Sequence, residues 1–189
     1  MIKKAERLDA LERHVRSFWD GHIVEGDTWE NGPILERIPN FSTYRVLPRQ
    51  AGEAWVYVTT GCSLLKPNRG IEFFVMAPFA DDFHPETLAM VSHYHSFAAH
   101  QLDVGSVINI GRPWVRNSRM DHLLVSLPYP YGPDLEWAPP EAGEARFLWL
   151  LPIHQSEAEF IKQNTLEDFE LLMDAKGLNI LSIDRDPIA

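Results

Sequence analysis

A single cysteine, Cys62, stands in 189 residues. That excludes an internal disulfide framework and any CxxC-type zinc or redox site, and it fits a reducing compartment. No apolar run reaches the length of a membrane span, and the N-terminal MIKKAERLDALERHVRSFW lacks the continuous apolar stretch of a secretion signal. The expected location is the cytoplasm, with no membrane partner. Bases are short against acids: 17 Lys and Arg face 27 Asp and Glu, a net charge of −10 and the wrong sign for a general nucleic-acid binder. GxGxxG, the Walker loop, GxSxG and HExxH are all missing. No cofactor and no metal are expected, and the chain does not read as an enzyme.

What is present suits one ordinary globular domain across residues 1–189. Forty-five per cent of the residues are apolar, with six Trp and ten Phe to fill an interior. The acidity is uneven. Residues 134–189 hold twelve acids and four bases, a net of −8, which suits either solubility or a basic protein partner.

Leu8, Leu11, Val15, Phe18 and Trp19 recur at helical spacing, predicting an amphipathic helix within 1–20. Residues 21–40 read as a loop packed down by Trp29 and Ile34. Strand signals follow at 41–47, 54–60 and 71–77, then at 106–110, 122–128, 145–153 and 178–184. A helix opening at Pro85 should carry Leu88, Val91, His95, Ala98 and Leu102 on one stripe, with Gly105 closing it. The Pro/Tyr/Gly-rich stretch 128–143 reads as a long loop. Ser156 with Glu159 predicts a capping box, as do Thr165 with Asp168 one helix later. Phe169, Leu172 and Met173 should form that last helix's buried face, with Gly177 as its cap. Strands and helices mix without strict alternation, so the fold class is α+β: a mixed, largely antiparallel sheet with flanking helices.

Chemistry is sparse. His93, His95 and His100 share one predicted helix, but separations of two, five and seven do not converge on one metal. Cys62, in TTGCS after a strand, could serve a small hydrolase or transferase only if His84, His122 or His154 approached it as a base. Asp81-Asp82 precede a helix, where anions favour its dipole. The loop 111–119, GRPWVRNSR, places Trp114 among Arg112, Arg116 and Arg119. Arg and Trp are interface anchors, so this loop either contacts a partner or folds Trp114 inward. In the first case Trp114→Ala should leave the melting temperature nearly intact.

The order of segments resembles the suppressor-of-fused domain family over residues 30–176. The likeness rests on Trp55-Val-Tyr-Val-Thr-Thr-Gly-Cys-Ser63, on Ile71-Glu-Phe-Phe and on the 85–102 helix with its 105–110 strand. Its most specific part is the passage Phe147-Leu-Trp-Leu-Leu-Pro-Ile-His-Gln-Ser-Glu-Ala-Glu-Phe160. The resemblance implies a protein-binding α+β domain without catalytic activity. Its animal member uses such a domain, as one half of a Hedgehog-pathway regulator, to capture an extended peptide by strand addition. Stand-alone bacterial relatives resemble immunity proteins that neutralise toxins. The expected function is therefore immunity-type occlusion of a basic toxin domain, with strand addition to a host regulatory protein as the alternative. The candidate partner-binding residues are Glu159, Glu167, Glu170 and Asp174 in the acidic third, and Arg112, Trp114, Arg116 and Arg119 in the basic loop.

Overall fold

Seven strands form one sheet in the order β1-β2-β3-β4-β7-β6-β5 in the computed structural model, which describes residues 3–30, 32–65 and 70–189. The strands are β1 (Val24–Thr28), β2 (Ser42–Val46), β3 (Trp55–Thr60), β4 (Ile71–Ala77), β5 (Val107–Asn109), β6 (His122–Ser126) and β7 (Arg146–Ile153). All neighbours are antiparallel except β4 and β7, which run parallel from Ile71 opposite Arg146 to Phe74 opposite Trp149. The helices are α1 (Lys4–Phe18), α2 (Pro33–Arg37), α3 (Phe83–His95), α4 (Pro133–Glu136), α5 (Gln155–Gln163) and α6 (Leu166–Lys176). The fold is α+β with a mixed, mostly antiparallel sheet.

The period-2 alternation of each strand divides the core in two. Tyr57, Phe73, Val75, Leu148, Leu150, Leu123 and Val125 point to one face, where α2, α3 and the 110–120 segment cover them. Val56, Val58, Phe74, Met76, Phe147, Trp149 and Leu151 point to the other, under α1, α4, α5 and α6. Because both faces are covered, β4 is buried along its whole length, which is why IEFFVMA reads as one unbroken apolar run.

Several expectations are corrected. The 21–40 segment contains β1 and α2. Val24-Glu-Gly-Asp-Thr28 is an exposed edge strand with almost no apolar alternation, specified by pairing with β2. Helix α3 starts at Phe83, two residues before Pro85, because a proline within the first turn removes an N–H that has no intrahelical partner anyway. The same helix stops at His95. The chain then turns through residues 98–100, and His95 Nδ1 accepts from the Leu102 N–H at 2.8 Å. The first-turn donor site of α3 is met by Asp81, whose Oδ1 accepts from the Phe83 N–H at 2.9 Å. The 128–143 stretch holds α4 and a short 3₁₀ turn.

The capping box of α5 is His154 with Glu157, two residues before the expected Ser156 and Glu159; Glu157 Oε2 accepts from the His154 N–H at 2.8 Å. Thr165 and Asp168 cap α6 as expected, with Asp168 N–H donating to Thr165 Oγ1 at 3.1 Å, and Gly177 ends that helix in the left-handed region. Of its expected face, Phe169 is buried while Leu172 and Met173 are half-buried. Residues 178–184 are not a strand. They form a tail whose Ile180 and Leu181 pack on the α1–α6 face. The first two residues of the expected N-terminal helix lie outside the described residues.

Candidate functional site

The acidic third is brought together on α5 and α6, which pack through Phe160 and Phe169 at 6.4 Å between ring centroids. Glu159 on α5 and Glu167 and Asp174 on α6 are exposed, and Glu170 is half-buried. Other acids of this third have bases of their own: Glu136 meets Arg146 at 2.6 Å, Asp186 meets Arg119 at 2.8 Å, and Glu157 meets Arg185 at 2.5 Å. Glu170 and Asp174, one helical turn apart, border a cavity of about 410 Å³. Its remaining sides come from Tyr129 and Pro130 after β6, Trp149 on β7, Met173 on α6, and Gly177, Leu178 and Ile180 of the tail. Trp149 is 2% exposed and stacks on Phe74 with the rings 9° from parallel; Tyr129 is 57% exposed at the mouth. Burial raises the Tyr129 phenol above its ordinary pKa, and so do its hydrogen bond to Glu170 and the charges of Glu170, Asp174 and Glu136.

The basic loop lies on the opposite side of the sheet. Trp114 is 2% exposed within the core under α3, beside His84 at 5.5 Å between ring centroids. It has folded inward, and its removal must cost stability, in contrast to the nearly unchanged melting temperature expected of an exposed anchor. Arg112 donates to Thr87 Oγ1 at 2.9 Å and stacks on Phe83, Arg116 is exposed, and Arg119 pairs with Asp186. Trp114 thus packs on the face of the sheet opposite α5 and α6, while Arg119 reaches the C-terminal tail that Arg185 fixes to Glu157 of α5.

Cys62 is completely buried in the turn that follows β3. That turn is organised by Glu72, a buried carboxylate that accepts from Thr59 Oγ1 at 2.6 Å, Ser63 Oγ at 2.7 Å and the N–H groups of Ser63 and Cys62. Burial raises the Glu72 carboxyl above its usual range, and the four donors oppose that rise. The three histidines considered as bases are engaged elsewhere. His84 packs against Tyr57 and Trp114, His122 Nδ1 lies 2.7 Å from Asp121, and His154 Nε2 lies 2.9 Å from the Arg185 carbonyl. His100 stacks on Tyr94 and His93 packs against Phe97, while His95 is buried. Among the described residues no group of His, Cys, Asp and Glu is placed to hold a metal ion, and no helix is long and apolar enough to cross a membrane.

Of the residues that line this cavity, the sequence had singled out Glu170 and Asp174 but not Tyr129 or Trp149. Neither carries a local signal: Trp149 reads as strand core, and Tyr129 as part of a loop.

The sequence model of one family, Suppressor of fused protein (SUFU), matches residues 39–186. The chain is 38% identical to a suppressor-of-fused homologue from Neisseria gonorrhoeae FA 1090, whose crystal structure it matches with a TM-score of 0.90 over 98% of each chain. A chain of the Sufu–Fu complex has the same fold at 14% identity and TM-score 0.69, with 96% of this chain and 91% of that one covered. Drosophila Suppressor of Fused shares it at 15% identity and TM-score 0.74, covering 97% of this chain and 51% of the fly protein. No curated protein is matched by this sequence. Matched by the family's sequence model over most of its length, and sharing 38% identity with a homologue of the same fold, this chain belongs to the suppressor-of-fused family.

Proposed function

We propose that this chain is a non-catalytic protein-binding domain that neutralises a toxin-like partner by covering a basic surface on it. The observation that carries the reading is the set of acids on α5 and α6, Glu159, Glu167, Glu170 and Asp174, for which no salt bridge is made among the described residues. Such a face speeds encounter with a basic partner and repels acidic ones. The Sufu–Fu complex, in which a chain of this fold sits beside a protein partner, supports a binding role. Buried Cys62 and the engaged histidines support a non-catalytic one.

The test begins with affinity capture from the source cells at moderate salt, identifying a stoichiometric partner by mass spectrometry, followed by binding measurements at low and high salt. Reversing the four acids to lysine should weaken the complex at least tenfold at low salt and flatten its salt dependence. Co-expression of the unaltered chain should suppress the partner's toxicity. Unchanged binding by the charge-reversed chain at low salt would sink the electrostatic mechanism.

Strand addition to a regulatory protein is favoured by a separate observation. The sheet ends in two edges, β1 and β5, and β5 borders a small groove lined by Met90, Val91 and Tyr94. A partner bound in this way would protect the amides of Val107–Asn109 from hydrogen exchange, whereas occlusion by the acidic face would protect α5 and α6.

A further inference from the structure

A second cavity, at the C-terminal end of α1, is walled by aromatic rings. Phe18, Trp19 and Tyr131 line it, Trp19 buried and the other two half-buried. The rings stand nearly square to one another: 81° and 4.9 Å between centroids for Phe18 and Trp19, 85° and 5.6 Å for Phe18 and Tyr131, 85° and 5.5 Å for Trp19 and Tyr131. Three planes at right angles cannot all turn their edges to one space, so at least one ring offers its negative face to whatever fills it. Val56, Met76 and Leu181 add apolar walls. The volume, about 350 Å³, is within the range of small-ligand sites.

The charge around this space is of one sign. Among the described residues Glu53 is the one acid that lines it, and no Lys or Arg does. The Arg49 N–H donates to Glu53 Oε2 at 2.7 Å and holds that carboxyl below the usual carboxylate range, so it is ionised at neutral pH. Burial and the Glu53 charge, against an opposing hydrogen bond from Trp19, push the Tyr131 phenol up to about 12. The carboxylate therefore acts on the aromatic wall itself. His22 Nε2 stands 4.0 Å from the same carboxylate.

These features sort the ligand chemistries. An anion is repelled by Glu53 and by the ring faces. A primary ammonium is strongly hydrated and would exchange that shell for mostly apolar walls. A guanidinium brings five N–H donors to a single carboxylate. An uncharged alkyl group fills the space but draws nothing from Glu53. A quaternary ammonium has no N–H to satisfy, spreads its charge over methyl groups that suit apolar walls, and is attracted by ring faces and carboxylate alike.

We infer that this cavity binds a quaternary ammonium group, its methyls against Phe18, Trp19 and Tyr131 and its charge facing Glu53. Two sources share that chemistry: a trimethylated lysine side chain of a protein, and a small free compound of the choline type. The inference rests on this cavity alone and holds whether or not the partner is a toxin.

The test titrates four probes into the protein: choline, its uncharged isostere in which carbon replaces nitrogen, Nα-acetyl-Nε-trimethyllysinamide and Nα-acetyl-lysinamide. Binding is followed by the Trp19 indole resonance in ¹H–¹⁵N spectra, assigned by its loss in Trp19→Phe, and by the ring-current shift of the ligand's N-methyl protons. A quaternary probe should move both signals and bind about tenfold or more tighter than its uncharged or unmethylated counterpart. Glu53→Gln should weaken that binding about threefold and Phe18→Leu about fivefold. Glu86→Gln, on α3 across the sheet, is the unaffected control. If Phe18→Leu lowers the melting temperature, the surface replacement Glu53→Gln decides alone. Tighter binding of the trimethyllysine derivative assigns a methylated protein side chain as the source. Choline binding as tightly or more tightly assigns a free compound. Counterparts that bind as well as the quaternary probes, unchanged affinity in Glu53→Gln, or no shift from either quaternary probe at millimolar concentration overturns the inference.

Discussion

Arg185 holds the C-terminal tail to the start of α5, and removing its side chain tests how that tail is anchored. Its guanidinium donates to Glu157 through Nη1 at 2.5 Å and Nη2 at 2.7 Å. The same carboxylate accepts from the His154 N–H at 2.8 Å and the Ile188 N–H at 3.1 Å, and it has no exposed surface. Arg185→Ala leaves that carboxylate buried with half of its four donors. Breaking a buried pair from one side costs about 3–5 kcal/mol. Two amides remain, so the lower end, about 3 kcal/mol, is expected. At roughly 2–4 °C per kcal/mol for a chain of this size, the melting temperature should fall by about 6–12 °C.

The pH dependence has a definite sign. Burial alone pushes the Glu157 carboxyl up, but Arg185 and the two amides outweigh it and hold the pKa below the usual carboxylate range. A carboxyl depressed in the folded state stabilises fully above its unfolded pKa of about 4.3, and that stability is lost as pH falls through the folded value. The gap between the unaltered chain and Arg185→Ala should therefore be full at neutral pH and narrow as pH falls toward about 3. Urea unfolding followed by circular dichroism at both pH values measures the gap, and hydrogen exchange over residues 178–189 shows whether the tail has loosened. The double replacement Glu157→Leu with Arg185→Met should recover most of the loss, since no charge is then buried. A cost under about 0.5 kcal/mol at pH 7, or a gap that does not narrow in acid, would refute the reasoning.

Three other substitutions probe separate parts of the fold. Trp114→Ala should cost about 3–5 kcal/mol in denaturant unfolding because the ring is buried, while Arg116→Ala at an exposed site changes stability by less than about 0.5 kcal/mol. Gly61→Ala should cost at least about 3 kcal/mol or abolish soluble expression: Gly61 has φ +95°, and an added Cβ would collide with the Asn40 carbonyl oxygen. Burial lowers the His84 pKa to about 4 from 6.5, so the unfolded chain binds its proton first and stability falls as pH drops between these values. That loss should be about 2 kcal/mol between pH 7 and pH 4.5 and be missing in His84→Gln, as read from unfolding curves at the two pH values.

Much of the framework was legible before any coordinates. The apolar runs around β3, β4 and β7, bounded by Gly or Pro, carry their own strand signal, and Thr165 with Asp168 makes a cap within four residues. The family likeness was legible for the same reason, since it lies in the order and spacing of such segments. Where the reading went astray, distant residues decided. Val24–Thr28 is a strand only because β2 lies beside it, and 178–184 has strand composition but takes the place of a tail. The α5 cap falls on Glu157 with Arg185, 28 residues away, fixed on the same carboxylate. Glu170 and Asp174 could be named as acids on one helix face, yet the cavity they border needs Tyr129, Trp149 and Ile180 from three other segments. Local hydrogen bonds and periodicity involve residues a few positions apart, so the sequence determines them directly. A cavity and a buried charge exist only once burial has brought remote segments together and excluded water, and tertiary structure alone decided those.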